Sequence, residues 1–334
     1  MVSAAFLYCL GTKRAFCPGE FAMSSSRIIH KGTYNDAVYR ERVSRSLCFL
    51  GLNEKEQEAS QELLSNSVVG IAGTGGIGGA MALRLARLGI RHLKLADPQT
   101  FDWTNVNRQL GASHENIGRN KAEVVGEITF ELARDVTVEV FKDGITVHNA
   151  EEFVSGCDLI LDQLEFYVIP EKYALHRAFR KTPRCKSIAA CSVVGWAAHL
   201  YKFERDSMPI EEWYGLPEDI EFDERVQDKL IKLWAPRLPY FPSYDEVLDW
   251  IARNNAVPIF AGAPPLAEGI LTQRVALSLI DKEYPPYGEW LPPIPQMYCY
   301  DAAMLRGQMV TSDGMFKNDG SLRMTWDSFH HAAG

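Results

Sequence analysis

A Rossmann-like, doubly wound α/β fold, with a mostly parallel sheet and helices on both faces, is predicted by three features of this sequence. A short apolar run of β-formers, Ser67-Val68-Val69-Gly70-Ile71-Ala72, ends in a glycine-rich turn and leads into a helical pattern at 80–88 carrying Leu83, Leu85 and Leu88. A second strand, His92-Leu93-Lys94-Leu95-Ala96-Asp97, closes a β-α-β unit of about thirty residues. The alternation then continues: strands are expected at 136–140, 159–162 and 187–190, with helices at 121–133 and 170–180 between them.

The rest of the chain is organised around that core. Residues 1–38 read as an irregular leader, in which Met23 before Ser24-Ser25-Ser26 is an alternative start. Residues 39–64 are charged and helical, with Leu47, Leu50, Leu52, Leu63 and Leu64 as apolar points, and open a core unit that runs to residue 203. From 204 to 260 the chain is expected to leave the sheet and return. Acids outnumber bases ten to two between Glu204 and Asp228, and the aromatics Trp213, Tyr214, Trp234, Tyr240, Phe241, Tyr244 and Trp250 follow. These rings either line a substrate groove or pack the second half of the core. Residues 261–334 complete the core with a helix at 264–280, a stiff loop at 285–295 holding five prolines, and a late strand at 296–300.

At 334 residues the chain suffices for one large α/β domain or two modest ones. Its net charge of −8 argues against a nonspecific hold on nucleic acid or anionic lipid, which needs clustered Lys and Arg. Seven cysteines (Cys9, Cys17, Cys48, Cys157, Cys185, Cys191, Cys299) are widely spaced, with no C-x-x-C pair. That pattern fits reduced thiols in a cytoplasmic protein and offers no zinc-ligand spacing. The apolar stretch 2–10 is too short to span a bilayer, and no basic segment precedes it.

Gly73-Thr74-Gly75-Gly76-Ile77-Gly78 satisfies G-x-G-x-x-G between a strand and a helix. In that context glycines allow close backbone approach, and the helix N-terminus offers free N–H groups to a phosphate. Asp97, at the end of the second strand, is placed to accept hydrogen bonds from ribose hydroxyls. These features serve NAD and ATP equally. Further along lie Asp102-Trp103-Thr104-Asn105-Val106-Asn107-Arg108-Gln109 and Gly118-Arg119-Asn120-Lys121.

With that order of motifs (glycine loop, strand-end Asp, N-x-x-R-Q, G-x-x-K) the sequence resembles the family of MoeB, ThiF and the ubiquitin-activating enzymes. The resemblance covers roughly 39–203 and returns at 262–280 and 298–303. It implies an ATP-dependent adenylating enzyme. Gly73, Gly75, Gly76 and Gly78 would cradle ATP, Asp97 would hold the ribose, and Asn105, Arg108, Gln109 and Lys121 would lie at the nucleotide. An arginine from an N-terminal helix would enter the partner's site in a homodimer; Arg42 is the best match, with Arg45 close behind. Fixed cations suit this reaction because attack of a carboxylate on the α-phosphate builds negative charge.

The pattern departs from the family in two places. D-x-x-D-N, whose second Asp binds Mg²⁺, is here Asp162-Gln163-Leu164-Glu165-Phe166, leaving either Asp162 or Glu165 as the Mg²⁺ ligand. The zinc-binding cysteine pairs are absent, and no cysteine lies between Cys191 and Cys299, where thioester-forming relatives place their nucleophile. An adenylating member without zinc or thioester chemistry is similar to the peptide-modifying branch typified by MccB and PaaA, which act in peptide-antibiotic biosynthesis. The expectation is therefore adenylation of a carboxylate on a peptide, such as a glutamate side chain with ensuing cyclisation. Three alternatives stand beside it: activation of a ubiquitin-like or sulfur-carrier C-terminus, a noncatalytic partner subunit, and an NAD-dependent oxidoreductase.

Overall fold

The computed structural model describes residues 27–236, 241–254 and 256–312. In chain order its elements are β1 (Arg27–His30), α1 (Asp36–Leu47), α2 (Glu54–Asn66), β2 (Val68–Ala72), α3 (Gly76–Leu88), β3 (His92–Ala96), α4 (Lys121–Ala133) and β4 (Thr137–Phe141). There follow α5 (Ala150–Val154), β5 (Leu159–Asp162), α6 (Ile169–Lys181), β6 (Ser187–Val194), β7 (Ala197–Glu204), α7 (Ile210–Tyr214), α8 (Glu224–Trp234), α9 (Tyr244–Asn254), α10 (Ala263–Leu279), β8 (Gln296–Asp301) and β9 (Arg306–Thr311). Short 3-10 turns at Cys48–Leu50, Trp103–Asn105 and His114–Asn116 join some of them.

One nine-stranded sheet has the order β1-β4-β3-β2-β5-β6-β7-β8-β9. The centre, β4-β3-β2-β5-β6, is parallel, while β1 on one flank and β7, β8 and β9 on the other run antiparallel. The doubly wound α/β class is thus as the sequence predicts. Strands such as Val68-Val69-Gly70-Ile71-Ala72 read as unbroken apolar runs because helices cover both faces and no residue can point at water. On one face Met81 and Leu85 of α3, Val124 and Val125 of α4, and Leu271 and Val275 of α10 pack against Val69, Ile71, Leu93 and Leu95. On the other, Phe153 of α5 and Tyr173 and Phe179 of α6 join Trp213 and Tyr214 of α7.

The helices at 121–133 and 170–180 and the strand at 159–162 fall where the pattern puts them, within one residue. Late strands are as expected, but three strands stand at positions the pattern did not give. Arg27–His30 falls within the stretch read as irregular leader, yet it pairs with β4 and extends the sheet; the rest of 1–26 lies outside the described residues. β7 and β9 are antiparallel strands, β9 a mostly exposed one at the sheet's edge. The 204–260 region does leave the sheet and return, as three helices. Trp213 and Tyr214 are fully buried, and Trp234 meets Trp213 and Tyr201 edge-on at 5.0 and 4.7 Å, so these rings are core. Phe241 and Trp250 face a cavity, while Tyr240 and the Tyr244 side chain lie outside what is described. No described helix is long and apolar enough to cross a membrane.

Candidate nucleotide site at the switch point

The strand order reverses between β2 and β5: from β2 the chain first builds leftward through β3 and β4, then crosses to β5 and β6. In open parallel sheets the crevice outside the carboxyl ends at such a point is where ligands bind. The glycine loop leaves β2 there, and Asp162-Gln163-Leu164-Glu165 leaves β5 beside it.

Local sterics explain the glycines. Gly73 has φ +95°, and a Cβ on it would stand 2.3 Å from the Gln163 carbonyl oxygen of the neighbouring loop. At Gly78 a Cβ would lie 1.9 Å from the Gly73 carbonyl oxygen, so α3 can start this close to the loop only with glycine. Gly75 and Gly76 differ, because a Cβ there would meet nothing nearer than 3.8 and 3.3 Å. Gly75 has only Gln109 near it at the helix N-terminus, while Gly76 lies against Pro264 of α10, with the Arg108 stem beside it.

Asp97 is buried and fastens the loop. Its carboxylate accepts the Thr74 N–H at 2.8 Å and the Gln99 N–H at 2.9 Å. Burial raises its carboxyl above the usual range, against the pull of Lys121 and those N–H groups. The Thr74 hydroxyl adds a second bond to Oδ2 at 3.3 Å, so Oδ1 is the oxygen with a lone pair to spare. Lys121, also buried, donates to Gln99 Oε1 at 2.9 Å; burial lowers its ammonium, offset by Asp97, Glu165 and Asp102. Arg108 donates to the Thr104 carbonyl and Asn107 Oδ1, both at 2.9 Å. Burial lowers its guanidinium too, with Glu165 and Asp102 opposing.

Glu165 is accessible to water yet closely surrounded by protein atoms. Burial there raises its carboxyl, with Lys121, Lys172 and Arg108 pulling it down. Two polar atoms in this neighbourhood, Gln109 Oε1 and Gln163 Nε2, are buried with no hydrogen-bond partner. One accepts and the other donates, so a polar ligand could satisfy both. Asn105 is buried in a capping box with Asp102: its amide donates to Asp102 Oδ1 at 3.0 Å and its oxygen accepts the Asp102 N–H at 3.3 Å. Its side chain orders the turn that presents Arg108 and Gln109, a different task from the phosphate contact expected of it.

Two expected site residues are placed elsewhere. Asp162 is fully buried, and its oxygens are taken by Lys172 Nζ at 2.8 and 2.9 Å, His176 Nε2 at 3.0 Å and the Leu164 N–H at 3.1 Å. Burial alone would raise this carboxyl, but Lys172 and then His176 outweigh it and hold it down to about 2. Burial lowers the His176 imidazole despite its carboxylate partner. A carboxylate so occupied has no room for Mg²⁺, which leaves Glu165 as the candidate ligand. Arg42 donates to the Ala86 carbonyl and to both oxygens of Asp135, the nearer at 2.9 Å, and lies over the Tyr39 ring. Ala86 is at the far end of α3, about 15 Å along the helix from Gly76 at 1.5 Å per residue. Within this chain Arg42 thus ties α1 to the end of α3 and to Asp135.

Sequence reasoning missed Lys172 and His176. They are spaced i, i+4 on the helix that follows the strand ending in Asp162, so one face of α6 carries two nitrogen groups toward that carboxylate. Among the described residues no three His, Cys, Asp or Glu side chains gather as a metal-ligating group.

The ThiF family model matches residues 49–215. The chain belongs to the ThiF family. Members of this family are ATP-using adenylyltransferases, and the switch-point basin lies inside the matched region. Among curated relatives, the ThiF segment is 30% identical over 145 residues to the SAMP-activating enzyme E1 of Haloferax volcanii, covering 43% of this chain and 52% of that protein. It is 32% identical over 109 residues to the tRNA threonylcarbamoyladenosine dehydratase of Escherichia coli, covering 32% and 41%. The chain thus spans about half the length of the curated relatives it matches. Solved structures with the same fold include PaaA, with TM-score 0.60, 18% identity, 81% of this chain and 82% of that one. E. coli MccB with ATP follows, with TM-score 0.58, 18% identity, 82% and 72% coverage.

Proposed function

We propose that this ThiF-family protein activates a peptide carboxylate by adenylation: a carboxylate oxygen attacks the α-phosphorus of ATP, the bond to the β-phosphate oxygen breaks, and pyrophosphate leaves. The observation that carries this reading is the gathering of Arg108, Lys121 and Glu165 around a glycine loop at the sheet's switch point. Backbone N–H groups at the start of α3 face the phosphates. Arg108 and Lys121, held as cations in surroundings that penalise unpaired charge, favour the extra negative charge of the pentacoordinate α-phosphate. The remaining lone pair of Asp97 Oδ1 suits a ribose hydroxyl, and Gln109 Oε1 and Gln163 Nε2 would gain partners in the nucleotide. A Mg²⁺ ion accompanying ATP would be held by Glu165 and would neutralise phosphate charge.

A peptide as the acyl donor is supported by the fold shared with PaaA and MccB, the latter solved with ATP and with MccA. Buried thiols support it too. Cys157, Cys185, Cys191 and Cys299 are all buried, and burial pushes Cys157 up to about 12 and raises Cys185 and Cys191. None of these is a ready thioester nucleophile. In a homodimer, a contribution in trans falls to the exposed Arg45, since Arg42 is committed to its own chain. A small-protein C-terminus is the second reading, favoured by the SAMP-activating relative.

The test is ATP–pyrophosphate exchange in Arg108→Ala. Arg108 is partly exposed and bonds only its own turn, so the melting temperature should stay within a degree or two while exchange falls at least about 100-fold. Unchanged exchange would remove Arg108 from the chemistry.

A further inference from the structure

We propose that the acyl substrate carries a large apolar side chain, aromatic or branched aliphatic, next to its reactive carboxylate, and that this side chain fills a cavity closed by the crossover helices. The proposal rests on the adenylation reading and adds the substrate's chemical class.

The cavity has a volume of about 330 Å³, within the range of small-molecule sites. Its walls are Val193, Val194 and Trp196 at the end of β6, Ile231 and Trp234 of α8, Val247, Trp250 and Ile251 of α9, and Phe260. Among the described residues that line it there is no titratable side chain. The one side-chain hydroxyl, on Ser192, is already engaged with the Tyr201 hydroxyl at 2.7 Å and the Trp234 carbonyl at 3.1 Å. Among these residues the only side-chain donors left are the indole N–H groups of Trp196 and Trp250, too few to replace the water shed by a charged or amide group, whereas an apolar group gains by leaving water.

Position ties the cavity to the chemistry. β6 lies two strands from β2 at the same carboxyl edge, about 10 Å at the usual strand spacing. Phe166 forms part of the cavity wall and follows Glu165 of the charged basin directly in the chain. The cavity thus lies within reach of a side chain next to a carboxylate held at the nucleotide. The mouth is aromatic as well: Phe241, Val257 and Phe260 are 43%, 41% and 52% exposed. Phe260 sits edge-on to Trp196 at 4.4 Å and Phe241 to Trp250 at 5.6 Å. Exposed apolar side chains gathered at the rim of an apolar cavity mark a binding site better than the same residues scattered singly.

The experiment uses the full chain and two series of acetylated tripeptides. One presents a C-terminal carboxylate, the other an internal glutamate in an amidated peptide; in each, the residue at or beside the carboxylate is Phe, Leu, Gly or Lys. Calorimetry with ATP and ATP–pyrophosphate exchange test the adenylation reading. Tryptophan fluorescence, reporting Trp196, Trp234 and Trp250, tests the cavity independently of exchange. In at least one series, Phe and Leu peptides should exceed Gly and Lys peptides about 10- to 100-fold in kcat/KM, and should alone shift the fluorescence. Val194→Trp, which fills the cavity, and Phe260→Asp, which makes its mouth polar, should abolish the preference while leaving exchange with the Gly peptide unchanged. ATP binding and exchange with no preference for apolar side chains would overturn the inference and leave the adenylation reading standing. Absence of ATP binding and exchange would overturn that reading. Fluorescence insensitive to the Phe and Leu peptides would overturn the inference in either case.

Discussion

Replacing Lys172 with methionine isolates the charge that holds Asp162 in its buried setting. The side chain is 1% exposed and its stem fits the site, so the change removes an ammonium and little volume. Asp162 would keep the His176 and Leu164 donors but lose both bonds from Lys172, and an uncompensated buried carboxylate costs about 3–5 kcal/mol at pH 7. The pH dependence is the sharper signature. In the parent protein, holding Asp162 at about 2 against its ordinary 3.8 corresponds to about 2–3 kcal/mol of stabilisation. This is present above about pH 4 and lost as pH falls through 2. His176, lowered by burial, adds to the same acid limb: its contribution is present above pH 6.5 and fades below it. In Lys172→Met, burial raises the Asp162 carboxyl and repulsion on His176 disappears, so the native state takes up a proton that the parent does not. Its stability relative to the parent must then recover on acidification. Urea unfolding at pH 7 and pH 4 should show a gap of about 3–5 kcal/mol that narrows at the lower pH. A gap below about 1 kcal/mol at pH 7, or one that widens at pH 4, would refute the reasoning. Adding Asp162→Asn to Lys172→Met should restore most of the loss by removing the stranded charge.

Arg42→Ala should cost about 2 kcal/mol in urea unfolding, less than a fully buried pair because the guanidinium is partly exposed, through the stranding of buried Asp135. An unchanged midpoint with lost exchange would instead return Arg42 to the active site. Gly78→Ala drives a methyl into the Gly73 carbonyl and should lower stability by about 3 kcal/mol or abolish ATP binding by calorimetry. A variant with parent-like stability and affinity would contradict the packing described. Brief alkylation of the native protein by iodoacetamide at pH 7.5, mapped by mass spectrometry, should label exposed Cys48 and spare Cys157, Cys185, Cys191 and Cys299. Rapid labelling of Cys191 would reopen thioester chemistry.

The parallel core was legible because its signals are local. A buried strand, a glycine turn and a helix each impose a period on the sequence, and Gly73 and Gly78 are where two backbones touch. β1 and β9 were not legible, since a four-residue strand and a mostly exposed edge strand are defined by the partner they pair with. The basin around Arg108, Lys121 and Glu165 followed from the order of motifs. The roles of Asp162, Asn105 and Arg42 did not, because each depends on which neighbour reaches it first. Asp162 is met by Lys172 and His176 from α6, Asn105 by Asp102 three residues away, and Arg42 by an aspartate ninety-three residues downstream.

The five residues from Asp162 to Phe166 divide the carboxyl edge of the sheet into a charged half and an apolar half. Asp162 is tied beneath the edge by Lys172 and His176, which fixes where the loop begins. The Gln163 carbonyl closes against Gly73 and joins the loop to the nucleotide side, while Glu165 adds the negative charge of the basin. Phe166 then turns the wall apolar. A polar side chain at 166 would bring a hydrogen-bonding group into a cavity whose described lining is almost wholly apolar; phenylalanine avoids that cost. The departure from the family's pattern and the apolar cavity are thus two sides of one substitution. Phe166→Asn should weaken preference among substrates more than it weakens ATP binding.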